Sequence, residues 1–335
     1  MPKIDLTIVE VKALAVACLL ANGCNDENAE AVAEIVTAAE RDGCASHGLF
    51  RLPGYVAALR SGKVNGDASP SIERLAPGVL RIDGDGGFAP LALEQGRHPL
   101  IDATREQGVA AMSLVRIHHF AALWTEVEPL VEAGLCAMAC TAYLPMVAPA
   151  GGREALFGTN PLAFGWPRKV GLPVIFDQAS SVIARGEVMV AARDGHDLPP
   201  GVGLDVDGNP TIDPNEVLKG VMLPFGGYKG SSIAMMIELF ASGLIGERFS
   251  FEAAEHDNKD GGPPRGGEFI LAMDPNRFGD NAWLDHTEKF FEKMIAIEGV
   301  RLPGARRYAN REKAQSVGVQ VPEELHAKIV ELIEV

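Results

Sequence analysis

The chain has 335 residues, 47% hydrophobic and 22% charged, which fits a globular protein of one large or two modest domains with no need of disulfide or metal staples. Its formal net charge of −15 argues against nucleic acid or an anionic membrane as the main partner, and any anionic ligand must meet a local basic cluster. No apolar run approaches the roughly 18 residues of a membrane span, and the start Met1-Pro2-Lys3-Ile4-Asp5 has no signal-peptide pattern. The five cysteines Cys18, Cys24, Cys44, Cys136 and Cys140 contain no CxxC pair and read as idle thiols of a reducing compartment, so the expected location is the cytoplasm.

Thr7-Ile8-Val9-Glu10 fits a capping box that opens a helix through about Ala21. A second helix is predicted from Asn25 or Asp26 to about Asp42, with Val32, Ile35, Val36 and Ala39 as its apolar stripe. Gly43 breaks it, and Ser46 is predicted to cap a third helix that ends at Ser61-Gly62. The first sixty residues therefore read as helical. From Ile72 the texture changes: Val79 to Asp83 is strand-like, Gly84-Asp85-Gly86-Gly87 is a turn, and Leu91 to Gln107 is a helix. Val109 to Val115, Leu135 to Thr141 and Pro173 to Phe176 read as buried strands, with Cys136 and Cys140 on one face. Asp205 to Pro210 is a turn and Ser231 to Ile245 an apolar helix. Lys259 to Gly267 holds four glycines and two prolines in nine residues, which predicts a mobile loop. Trp283 to Glu298 and Glu323 to Ile333 read as helices, and there is no internal repeat. The expected fold is α/β of the α+β type. Residues 1–75 and 283–335 would form a discontinuous helical, substrate-side domain, and 76–282 a dinucleotide-binding domain, with a ligand cleft where the two meet.

Four segments could hold phosphates. Gly84 to Ala89 matches G-x-G-x-x-A between a strand and a helix, but Pro90 follows and Arg116 stands where an acidic residue would be expected, so a glycine-rich turn is the plainer reading. Pro224 to Ser232 places Lys229 beside a helix N-terminus, where backbone donors and an ammonium converge. Arg301, Arg306, Arg307 and Arg311 are the densest basic patch of an acidic chain. His118-His119-Phe120-Ala121-Ala122 follows a buried strand.

The segment of most chemical interest is Ser46-His47-Gly48-Leu49-Phe50-Arg51. With Ser46 as N-cap, His47 and Arg51 are i and i+4 on one helix face. A guanidinium is a flat fork for a carboxylate, and an imidazole can transfer a proton near neutral pH. Such a pair suits reduction of C=N or C=O next to a carboxylate. His118 and His119 compete for the acid role, and no His, Asp or Glu spacing reads as a metal site.

Five segments occur in order: Arg41 to Gly48, His118 to Ala122, Phe157 to Phe164, Phe176 to Ser181 and Pro224 to Gly230. Together they resemble the malate/L-lactate dehydrogenase-like family of NAD(P)-dependent oxidoreductases, which is distinct from the Rossmann enzymes of similar name. Val147 to Arg153, Phe164 to Pro167 and Asp177 to Ser181 resemble the Δ1-piperideine-2-carboxylate/Δ1-pyrroline-2-carboxylate reductase branch. The resemblance implies a largely antiparallel sheet, a non-Rossmann dinucleotide site, a homodimer, and NADPH-dependent reduction of a cyclic imino acid; NADH and a 2-keto acid substrate are the alternatives. It makes Gly84 to Ala89 a decoy. It implies Ser46 and His47 as relay serine and proton donor, Arg51 as the carboxylate anchor and Thr159 as a substrate contact. The dinucleotide would be lined by His119, Phe120, Ala121, Ala122 and Leu123, by Asp177, Gln178 and Ala179, by Lys229, and by Leu302, Pro303, Gly304, Ala305, Arg306, Arg307 and Tyr308. The acidic relay partner would be Glu187, where an aspartate is usual, with Asp194 as the alternative.

Overall fold

The computed structural model describes residues 2–280 and 282–334. Strand β1 (Lys3–Leu6) is followed by helices α1 (Ile8–Ala21) and α2 (Asp26–Arg41), two single 3-10 turns (Ala45–His47 and Leu49–Arg51) and α3 (Leu52–Arg60). The capping box forms as expected: the Glu10 amide donates to Thr7 Oγ1 at 3.2 Å and the Thr7 amide to Glu10 Oε2 at 2.7 Å. Asn25 caps α2 through the Asn28 amide at 3.0 Å. The main chain then builds β2 (Ser71–Ala76), β3 (Val79–Asp83), α4 (Ala89–Gln107), β4 (Val109–His118), α5 (Trp124–Glu132), β5 (Cys136–Thr141), β6 (Leu162–Trp166) and β7 (Val174–Gln178). A smaller lobe follows: α6 (Arg185–Asp194), β8 (Gly203–Leu204), β9 (Pro210–Thr211), α7 (Pro214–Lys219), β10 (Val221–Met222) and α8 (Tyr228–Glu238), the last continuing through a π-turn, Leu239–Gly243. The chain ends with α9 (Ser250–Glu255), β11 (Arg265–Met273), α10 (Trp283–Ile295), α11 (Ala305–Val317), β12 (Val319–Pro322) and α12 (Glu323–Ile333).

Both chain ends share one core. β1 and β12 pair antiparallel, Ile4 opposite Val321, a short ladder that the helical reading of the N-terminus missed. Val11, Leu19, Val32, Leu52, Val321 and Ile329 pack together beneath it.

The central sheet has seven strands in the order β2-β3-β4-β11-β5-β6-β7. It is antiparallel throughout except between β3 and β4. β11 corrects the expectation of a mobile loop over 259–267: the last three of those residues already belong to the strand, which runs between β4 and β5. The residues before it are tied down as well, since Lys63 Nζ reaches Asp257 Oδ1 at 3.1 Å and Asp260 Oδ1 at 2.5 Å.

The β3–α4–β4 unit supplies the parallel pair that a Rossmann site would need around Gly84 to Ala89. Its turn nevertheless cannot cradle a pyrophosphate, because the amides are already spent. Gly84 N donates to Val115 O, Gly86 N to Arg116 O and Gly87 N to Gly84 O, each at 2.9 Å, and Asp85 N donates to Asp83 Oδ1 at 2.9 Å. Arg116, which stands where a Rossmann unit would carry an acid, folds back onto Asp83 at 3.1 Å. Gly84 and Gly87 serve close packing: a Cβ would lie 2.4 Å from Ile117 Cγ2 at the first and 2.3 Å from Ala68 Cβ at the second.

Asp42, at the end of α2, is fully buried and joins three elements. Arg311 of α11 bonds it through Nε at 2.9 Å and Nη2 at 2.6 Å, Arg41 Nε at 2.8 Å, and Trp124 Nε1 of α5 at 3.2 Å. Burial alone would raise the Asp42 pKa, but the hydrogen bonds from Arg311 and Arg41 outweigh it and hold the carboxyl below its ordinary value. Arg311→Met should destabilise the fold by roughly 3 kcal/mol, because it leaves a buried carboxylate short of its main partner. Urea unfolding followed by far-UV circular dichroism checks this; a midpoint indistinguishable from the parent protein would show that the pair carries no net stability.

Candidate active site

The segment from Ser46 to Arg51 does not begin an α-helix. Gly48, at ψ −141°, divides it into two tight turns, and Ser46 caps nothing. The cause is Glu40, a buried residue of α2 whose Oε1 accepts the Leu49 amide at 2.8 Å. A Cβ at Gly48 would fall 2.2 Å from that same oxygen, so only glycine passes there. Burial pushes the Glu40 carboxyl up to about 7, although the Leu49 amide pulls the other way. The i, i+4 helix face expected for His47 and Arg51 is therefore replaced by a different backbone that still brings them together. Arg51 Nε donates to the Ser46 carbonyl at 2.7 Å, and Ser46 Oγ lies 3.1 Å from His47 Nδ1.

The electrostatics of this turn are one-sided. Arg51 Cζ lies 4.6 Å from the Phe120 ring centroid and 5.6 Å from that of Phe50. Among the described residues no carboxylate pairs with Arg51; its charged neighbour is Arg185, at the start of α6. Burial, then Arg51 and then His119, push the His47 pKa down to about 3, so in the free protein the imidazole is neutral. A cation facing aromatic rings with no anion beside it is a receptor for an anionic ligand.

The acidic relay partner does not fall into place. α6 approaches the turn closely, and a Cβ at Gly186 would lie 3.1 Å from Ser46 Cβ. Glu187, the next residue, is exposed and bonds neither Ser46 nor His47 among the described residues. Asp194 is at the opposite end of that helix, paired with Arg193 at 2.7 Å, which removes it as the alternative. His118 is also set aside: its Nδ1 is directed to the Pro263 carbonyl at 3.2 Å. Thr159 packs beside the buried Ser180, whose amide donates to the Thr159 carbonyl at 2.7 Å and whose Oγ donates to the Asn160 carbonyl at 2.6 Å.

Three of the four expected dinucleotide segments converge. The stretch His119, Phe120, Ala121, Ala122, Leu123 connects β4 to α5, and the Trp124 amide donates to Asp177 Oδ2 at 3.3 Å. Asp177 and Gln178 end β7 and Ala179 follows it, and burial with the nearby Glu126 pushes Asp177 up to about 7. Residues 302–308 lead into α11. Arg307 Nη2 donates to the Ile175 carbonyl at 2.9 Å with its Cζ 5.3 Å from the Trp124 ring centroid, and Tyr308 Oη donates to the Pro173 carbonyl at 3.1 Å. Gly304 adopts φ +88° beside the Ile175 carbonyl, a backbone only glycine takes readily. Lys229, exposed at the start of α8, belongs to a turn that is bonded back to Ser180 through the Phe225 amide at 3.0 Å. The basic patch is thinner than its sequence suggests. Arg311 is committed to Asp42 and Glu128 and Arg307 to β7, which leaves Arg301 and Arg306 exposed and without acidic partners among the described residues.

Sequence reading missed Glu40 and two further acids. Glu126 of α5 and Glu268 of β11 are buried against His119, and ligand atoms of the three lie within 4.8 Å of one another although no sequence spacing links them. The available signal was a glutamate inside the apolar run 266–273, since charged residues are seldom buried without a purpose.

The malate/L-lactate dehydrogenase family model matches residues 6–330. A Δ1-pyrroline-2-carboxylate reductase from Ancylobacter novellus is 47% identical over 329 residues, 97% of this chain and 96% of that protein. A Δ1-pyrroline-2-carboxylate/Δ1-piperideine-2-carboxylate reductase from Pseudomonas aeruginosa is 46% identical over 334 residues, 99% of this chain and all of that one. The crystal structure of Δ1-piperideine-2-carboxylate reductase from Pseudomonas syringae pv. tomato superposes with a TM-score of 0.94 at 40% identity, covering 98% of this chain and 99% of the other. The mixed, largely antiparallel sheet, the Ser46–Arg51 turn and these likenesses agree: the chain belongs to the malate/L-lactate dehydrogenase family of oxidoreductases.

Proposed function

We propose that this protein is an NADPH-dependent reductase of cyclic 2-imino acids, converting Δ1-piperideine-2-carboxylate to L-pipecolate and Δ1-pyrroline-2-carboxylate to L-proline. The observation that carries the reading is Arg51, a guanidinium held over Phe120 with no carboxylate partner, beside a neutral His47. The substrate carboxylate takes the Arg51 fork. The residues also fit a dinucleotide: Lys229, Arg301 and Arg306 are cations free of acidic partners among the described residues, and His119 Nδ1 and Arg307 Nε are buried polar atoms without hydrogen-bond partners. When bound, the coenzyme supplies the hydride that closes C2. The cyclic imine reaches the site as its iminium ion, so no further proton is needed as the C=N electron pair returns to nitrogen. A neutral His47 does not repel that cation. Its Nδ1–H donated to Ser46 Oγ leaves Nε2 able to accept the iminium N–H and keep that form populated. Thr159 completes the proposed substrate side, and Glu187, next to the Gly186 that packs on Ser46, is the proposed acidic relay partner.

The second reading is reduction of a 2-keto acid. It needs a proton delivered to the developing alkoxide, and a histidine whose pKa is pushed down to about 3 is poorly charged for that task. The imine is favoured by the likeness to Δ1-pyrroline-2-carboxylate and Δ1-piperideine-2-carboxylate reductases at 40–47% identity. The same proposal has the enzyme acting on small molecules as a cytoplasmic homodimer, without nucleic acid or membrane partners. The five free thiols fit a reducing compartment, and the acidic balance disfavours nucleic acid and anionic membranes as partners.

His47→Ala should lower turnover of the cyclic imine by roughly 10- to 10²-fold with NADPH affinity retained, the worth of one hydrogen bond to a charged group. Unaltered turnover would remove the imidazole from the reaction. Arg51→Lys should raise the imine KM by about tenfold, because an ammonium cannot reproduce the fork; an unchanged KM means that the carboxylate binds elsewhere.

The His47 ring should titrate well below its ordinary 6.5 in the free enzyme, and Arg51→Met should move the midpoint upward by removing a neighbouring cation. Proton NMR of the ring follows both, and a parent midpoint at or above the ordinary value refutes the neutral-histidine account.

Arg306→Ala should weaken NADPH by about tenfold while leaving NADH unchanged at one fixed ionic strength. Equal losses for both coenzymes would show that this residue does not read the 2′-phosphate.

A further inference from the structure

Near His47 lies a buried cluster of three ionisable groups. Glu126 comes from the first turn of α5, Glu268 from the central strand β11, and His119 from the link after β4. They are 6%, 0% and 7% exposed. His119 Nε2 lies 2.7 Å from Glu126 Oε1 and 3.7 Å from Glu268 Oε2. Among the described residues no lysine or arginine pairs with either carboxylate, and both Glu268 oxygens, Glu126 Oε2 and His119 Nδ1 have no hydrogen-bond partner. Two carboxylates closed off from water cannot both stay charged, and one shared proton relieves the repulsion. Glu126 Oε1 is the one of the four carboxylate oxygens at direct hydrogen-bond distance from the imidazole. Glu268 has no such partner, and burial followed by the charge of Glu126 pushes it well above the ordinary carboxyl value.

We propose that Glu126 and Glu268 are positioning residues that share one proton, carried by Glu268, so that the Glu126 carboxylate fixes His119 as the Nε2–H imidazole and leaves Nδ1 bare to accept a hydrogen bond from the bound coenzyme. The last clause rests on the dinucleotide reading above; the tautomer does not. Nδ1 calls for a neutral N–H donor, and the carboxamide is the group of that chemistry on a nicotinamide ring. A metal ion is the competing occupant of the cluster. Against it, the imidazole and Glu126 stand at direct hydrogen-bond distance, and a metal-bound histidine ordinarily donates its other ring N–H to a fixed acceptor, which His119 lacks.

The test starts from the intact free enzyme labelled with 15N-histidine, with the His119 ring assigned by comparison with His119→Gln. Long-range 1H–15N spectra should show the Nε2–H tautomer throughout the neutral pH range. The Nδ1–H tautomer, an imidazolium, or one equivalent of divalent metal per chain by elemental mass spectrometry would overturn the proposal. Glu268→Gln, which mimics the protonated acid, should keep that tautomer and hold NADPH affinity within about threefold. Glu126→Gln should lose the single tautomer and weaken NADPH by about tenfold, with the imine KM unmoved. An unmoved tautomer in Glu126→Gln counts against the carboxylate, and if that variant fails to fold, the parent spectrum still decides. The predicted tautomer without imine reduction would sink the reaction assignment alone, whereas imine reduction with the opposite tautomer would sink this inference alone.

Discussion

One buried carboxylate holds the two ends of this chain against its middle. Asp42 closes α2, the helix that carries Glu40 and leads directly into the Ser46–Arg51 turn. Arg311, more than 260 residues away in sequence, bonds it in bidentate fashion, and Trp124 donates to it from the start of α5. The turn that carries His47, the helix that carries Glu126 and the helix that follows Gly304 are thereby anchored at one point. A buried ion pair of this kind adds less to net stability than its geometry suggests, because both charges had to leave water. Its worth is in registry: a single acid determines where three separate segments lie relative to one another.

The site owes its shape to a second buried acid. Glu40 takes the Leu49 amide and forbids any side chain at Gly48, so the chain makes two tight turns where local signals favour a helix. Arg51 then bonds the Ser46 carbonyl, which draws the guanidinium back beside the imidazole. The guanidinium has rings on its flank and another arginine nearby, but no anion among the described residues. In a protein of net charge −15, leaving a cation unpaired in a half-buried cleft is a cost that an anionic substrate removes on binding.

What could be read from the residues alone follows the range of the forces involved. The caps at Thr7 and Asn25 are local and placed α1 and α2 to within a residue. Val79 to Asp83 and Leu135 to Thr141 were legible as short apolar runs. β11 was not, because its glycine- and proline-rich approach masks a strand whose partners β4 and β5 are more than a hundred residues distant. The helix expected over Ser46 to Ser61 failed in its first turn for the same reason, since the residue that bends it lies on the preceding helix. The Gly84 motif shows the converse. Its local pattern and even its parallel strands are right, yet its amides are consumed by Val115, Arg116 and its own turn. A glycine pattern specifies a backbone shape; it does not specify that the donors remain free.

Burial controls protonation throughout this region, in opposite senses for acids and bases. It lowers His47 and raises Glu40, Asp177 and Glu268, so each group moves toward its neutral form. The surroundings of the proposed iminium therefore hold fewer full charges than a count of side chains implies. Arg51 is the exception, as a guanidinium cannot shed its proton under physiological conditions. In the proposed reaction, one permanent cation among groups that have become neutral would orient a substrate by its carboxylate, and the neutral imidazole beside it would accept from nitrogen without competing for that anion. In the proposed reaction a charged histidine would bind the carboxylate more tightly and repel the iminium, so the desolvation that weakens His47 as an acid would let one small cleft hold both ends of a zwitterion.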